Sequence, residues 1–111
     1  MAGRGRARHT LRVMRPLSVD LSQNALRPYF LWDEDLSIGD LKEHLKGGDQ
    51  SERLRLMAKM LREARDTDVW LFVTPAEVAE ALPALRNRLG RRRAFWDFLI
   101  EGWRADGLLP R

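Results

Sequence analysis

Leu54, Met57, Ala58 and Leu61 recur at i, i+3, i+4 and i+7, and Leu56 and Met60 widen the stripe. Apolar residues at that period commit residues 51–65 to an amphipathic helix, whose apolar face must then be covered by other helices. Asp49 and Glu52 stand at capping-box spacing before the stripe, which sets its start.

The same grammar recurs on both sides. Ser37 is a cap for a helix over 38–46, with Ile38, Leu41 and Leu45 on one face, Asp40 near the positive end and Gly47-Gly48 as the stop. Thr74-Pro75 followed by Glu77 opens another helix carrying Val78, Ala79 and Leu82. Pro83 is expected to begin a further helix over 83–89 that Gly90 ends, and a final helix over 92–106 carries Phe95, Trp96, Phe98, Leu99, Ile100 and Trp103. After that helix, Leu108 and Leu109 are expected to fold back on it. Residues 68–73 contain Val69, Trp70, Phe72 and Val73, which favour a strand; with no partner strand evident, a short buried helical segment is the expectation.

Toward the N-terminus the pattern changes. Residues 1–15 have no apolar periodicity, and residues 16–27 alternate weakly, as a short strand or extended connector would. The expected organisation is a basic arm at 1–15, an extended connector at 16–27 and one helical domain at 28–109. The fold class is all-α: a compact bundle of about five short helices behind an extended basic arm.

Charge sharpens this division. The net charge of +4 conceals six Arg against one Asp in residues 1–28, seven Lys/Arg against ten Asp/Glu in 29–70, and seven Arg against five Asp/Glu in 71–111. The arm residues Arg4, Arg6, Arg8, Arg12 and Arg15 are therefore the candidate contacts to a nucleic-acid backbone. Arg91-Arg92-Arg93 sits at the start of the last helix, where cations oppose the helix dipole; that placement suggests a task such as meeting acidic side chains or phosphate.

Other chemistries have little to build on. The chain has no cysteine and two histidines, which removes disulfides, thiolate metal sites and cysteine nucleophiles. Asp40 and His44 share a helix face at i, i+4, but a metal needs a third and fourth ligand. There is no glycine-rich phosphate loop and no nucleophile elbow. Thr74 to Leu82 resembles the first half of a helix-turn-helix, yet Pro83 interrupts and the later helix is aromatic where base-reading side chains would be needed. No apolar run reaches the length of a membrane span. A non-enzymatic cytoplasmic protein with no cofactor and no metal is the expectation. The late aromatic helix is its strongest binding signal, because Trp and Arg are favoured interface anchors. Arg91, Arg92, Arg93, Trp96 and Trp103 are the candidate partner-binding residues.

The run Pro28-Tyr29-Phe30-Leu31-Trp32-Asp33, the 54–65 helix, Asp68-Val69-Trp70 and the late Phe95-Trp96 resemble a family of small bacterial helical proteins of unknown function. Members of that family have a Phe-Trp-Asp opening and a late Phe-Trp. The resemblance spans residues 28–106. Here the opening reads Phe-Leu-Trp-Asp, and the basic arm has no counterpart. The resemblance implies an antitoxin-like partner of a nucleotidyltransferase-type toxin. It implies that Phe30, Trp32, Asp33, Trp70 and Phe95 define the fold, with Trp96 beside them, and that none of these residues is catalytic.

Overall fold

A computed structural model describes residues 14–110. The candidate nucleic-acid residues Arg4, Arg6, Arg8 and Arg12 lie outside the described residues. The fold is all-α apart from one minimal sheet. Two-residue strands β1 (Leu17–Ser18) and β2 (Arg27–Pro28) pair in parallel, and a 3-10 turn follows at Tyr29–Leu31. Five α-helices come next among the described residues: α1 (Ile38–Lys46), α2 (Gln50–Glu63), α3 (Asp66–Val69), α4 (Pro75–Leu85) and α5 (Arg93–Ala105). None is long and apolar enough to cross a membrane. Internal contacts divide the chain into two units, the first ending at Leu41 and the second beginning at Lys42.

The first unit is organised by one buried cation. Arg27 is 8% exposed. Its guanidinium donates to the carbonyl oxygens of Arg15 at 2.6 Å, Trp32 at 3.2 Å and Glu34 at 3.1 Å. The planar fork of Arg thus ties two separate stretches of irregular backbone, at Arg15 and at 32–34, and satisfies carbonyls that no ladder reaches. The expected connector is the short strand β1 followed by a folded turn. Asp20 closes it by accepting from the Ser22 backbone N–H at 3.1 Å and the Ser22 hydroxyl at 2.6 Å. Phe30 and Leu31 are buried. Trp32, expected to define the fold, is 60% exposed, and the part of it that Arg27 engages is its carbonyl. Trp32 stands just past the 3-10 turn that buries Phe30 and Leu31, so its ring falls on the outward side. Asp33 is also exposed. Ser37 and Asp40 form a reciprocal cap at the start of α1, each side chain accepting from the other's backbone N–H at 3.0 and 3.1 Å.

In the second unit α2 packs against α4, and α4 against α5. α2 buries Leu56, Met57, Ala58, Met60 and Leu61 of the stripe expected from its period, while Leu54 at its head is only half-buried. Asp49 caps it through the Ser51 backbone N–H at 2.9 Å. Glu52 does not complete the box; Arg55 takes both its oxygens at 2.9 Å. The 68–73 stretch is helical from Asp66 to Val69 and then turns, burying Val69 and Val73. α4 begins with the complete capping box expected of Thr74 and Glu77.

The expected break at Pro83 does not occur: α4 continues through it to Leu85, and a 3-10 turn covers Arg86–Arg88. Proline lacks the N–H that would reach back four residues to Ala79. Arg104 supplies the missing donor, its Nη2 lying 3.4 Å from the Ala79 oxygen. A side chain 21 positions downstream in sequence thus repairs the defect, which no local pattern reveals. At the end of α5, Gly107 takes φ +78° and Leu108 N–H returns to the Trp103 oxygen at 2.8 Å, a glycine-terminated cap. The fold-back is divided: Leu109 is buried and Leu108 is exposed.

Candidate partner-binding surface

The start of α5 lies against the end of α2, and this decides what its arginines and aromatics do. The last carbonyls of a helix lack intrahelical donors and carry the negative end of its dipole. Trp96 Nε1–H donates to the Leu61 oxygen at 2.8 Å, and Arg92 Nη1 donates to the Ala64 oxygen at 3.1 Å. α5 therefore caps α2 with an indole and a cation. Arg92 also lies over the rings of Phe95 and Trp96, at 5.2 and 5.7 Å from their centroids.

These contacts correct part of the expected partner-binding set. Trp96 is fully buried, with Phe95 and Trp70 edge-on to it at 5.0 and 5.7 Å. It is a core residue, because the turn of about 100° per residue points it, with Ile100, at the rest of the unit. Trp103 is half-buried and tilts against Trp70 at 5.6 Å. Trp70 and Phe95 thus belong, with Trp96 and Trp103, to one aromatic cluster.

The arginine triplet divides three ways. Arg92 is the half-buried cap just described. Arg93 faces Asp97 at 3.7 Å, and Asp97 also accepts from Arg86 at 3.1 Å. Arg91 is exposed and, with Arg88, forms no ion pair among the described residues. Arg15 is half exposed and lies 3.7 Å from Asp40, so this residue of the basic arm is held to its own unit.

The residue that sequence reasoning left inside a general apolar list is Phe98. It is 79% exposed at the middle of α5. Ala94, Gly102 and Ala105 lie beside it along the helix, with Phe95 and the exposed Glu101 three residues to either side, and a Cβ placed on Gly102 meets nothing within 4 Å. The result is an exposed ring with small residues along the helix axis and the Glu101 carboxylate at its flank. The signal was available: Phe98 lies two residues from both Trp96 and Ile100, hence on the opposite side of a helix.

A depression of 370 Å³ between α4 and the C-terminal segment is lined by Ala76, Ala79, Glu80, Arg104, Leu109 and Pro110. Arg104 is already engaged there with the oxygens of Ala79 and Pro110 and with Glu101. His44 is exposed on α1, and no group of three or more metal-ligating side chains comes together among the described residues. Comparison with family models, curated proteins and solved structures finds no match to this chain.

Proposed function

We propose that the chain is a non-catalytic protein-binding module, and that the Phe98 face of α5 is its contact surface. The observation that carries this reading is the exposure of a phenylalanine ring at the centre of a helix whose other side is packed. A large exposed aromatic buries efficiently in a partner's pocket and gains little where it stands. Arg88 and Arg91 form a cationic rim suited to acidic side chains. On the family resemblance, the bound protein is a nucleotidyltransferase-type toxin and the action is masking. The test is affinity capture from the native host with nuclease present, using the wild-type chain and Phe98→Asp. One stoichiometric protein that resists nuclease and is lost with Phe98→Asp supports the reading.

Nucleic-acid binding is the second reading, favoured by Arg88 and Arg91 standing exposed without ion pairs among the described residues and by the arginines of the arm. It requires that capture vanish on nuclease treatment and that affinity fall steeply with salt.

A further inference from the structure

The depression between α4 and the C-terminal segment has two walls of different origin. On the α4 side Ala76, Ala79 and Glu80 share one face, and the two alanines leave the space open. The opposite wall is made by the return of the chain after α5. Gly107, at φ +78°, reverses the backbone and brings Leu109 and Pro110 back. The lining is therefore aliphatic except for two charges, Arg104 and Glu80. Its volume of 370 Å³ lies at the small end of ligand clefts, which run from about 300 to 1,000 Å³.

The two charges do not neutralise each other. Glu80 is exposed and forms no ion pair among the described residues. The Arg104 side chain is only 23% exposed, yet no acceptor comes close to it. The oxygens of Pro110, Ala79 and Glu101 lie 3.3, 3.4 and 3.6 Å from its three nitrogens, whereas a hydrogen bond from such a nitrogen spans about 2.7–3.2 Å. These contacts also leave one further N–H on each Nη. A half-buried guanidinium with spare donors receives a carboxylate, both oxygens at once. With Glu80 and Glu101 both near, a bare carboxylate is opposed by like charge, and a ligand that also carries a cation is favoured.

We propose that this depression binds a free α-amino acid with a branched apolar side chain. The carboxylate lies on Arg104, the ammonium toward Glu80, and the side chain against Ala76, Leu109 and Pro110. A zwitterion answers an anion and a cation held unpaired in one cleft. The site is separate from the protein-binding face, since Arg104 lies about 120° around α5 from Phe98, and the two readings stand or fall independently.

Titration of the full chain with L-leucine, followed by nitrogen-15 NMR, tests the assignment. Saturable shifts are expected at residues 76–80, at Arg104 Nε–H and at Leu109, with a Kd of about 1 mM, within what so few ligand atoms can supply. 3-Methylbutylamine, which lacks the carboxylate, binds at least about tenfold more weakly. 4-Methylpentanoate, which lacks the ammonium, binds about fivefold more weakly. Arg104→Gln abolishes leucine binding. Because Arg104 also touches Ala79 and Pro110, exposed Glu80 supplies the decisive variant: Glu80→Gln weakens leucine about threefold and does not weaken 4-methylpentanoate. Leucine shifts that fail to saturate or that scatter over the chain overturn the site. So does a Glu80→Gln effect that is absent or equal for the two ligands. N-acetyl-leucine binding as tightly as leucine overturns the free amino acid in favour of a peptide C-terminus.

Discussion

Trp96 and Leu61 are joined by a hydrogen bond of 2.8 Å from the indole N–H to a main-chain oxygen near the end of α2. The bond places the largest buried side chain of the second unit on a helix end that would otherwise lack a donor. Trp96→Phe keeps most of the apolar volume but strands that oxygen. The expected cost is about 2–4 kcal/mol, from the unsatisfied acceptor and the lost ring volume together, read by urea denaturation. An unchanged midpoint would mean that the bond contributes nothing.

Arg27 holds its unit through carbonyls alone, so its loss cannot be absorbed by rearranging an ion pair. Arg27→Leu leaves the oxygens of Arg15, Trp32 and Glu34 without their donor and is expected to destabilise by about 2–4 kcal/mol. Arg27→Lys recovers only part of this, because an ammonium lacks the planar fork. Hydrogen exchange over residues 15–34 reports the loss locally.

Pro83 and Arg104 are coupled through the Ala79 oxygen. Arg104→Ala should cost about 1–2 kcal/mol by removing the donor that replaces the proline's missing N–H. In a Pro83→Ala background the helix supplies its own donor, and the same substitution should cost less. A double-mutant cycle by denaturant unfolding measures the difference, and strict additivity would refute the coupling.

Two surface carboxylates, exposed Asp20 and half-buried Glu52, should titrate low. Hydrogen bonds from the Ser22 hydroxyl, and then from its backbone N–H, hold Asp20 below the ordinary aspartate value; the Arg55 side chain does the same for Glu52. A depressed folded pKa means stabilisation that is present above the unfolded value and is lost as pH falls through the folded one. Carbon-detected NMR titration should show Asp20 moving toward its ordinary value in Ser22→Ala, and Glu52 in Arg55→Gln. No movement would remove the stated causes.

The all-α class, the Ser37, Asp49 and Thr74 caps, and the α2 stripe were legible in the sequence because each is a local rule acting within about two turns. Three features were not. Pro83 stays within a helix because Arg104 arrives from elsewhere, Arg92 is a cap because the end of α2 lies beside it, and Trp32 is exposed because it stands just past the turn that buries Phe30 and Leu31. The aromatic composition of α5 identified it as important, but its period alone did not say which rings the rest of the unit would cover. The sequence by itself determined where helices begin, end and turn an apolar side inward. Only the tertiary structure decided which arginines are occupied and which aromatic is left to water, since those outcomes depend on groups distant along the chain meeting orphaned carbonyls and open helix surface.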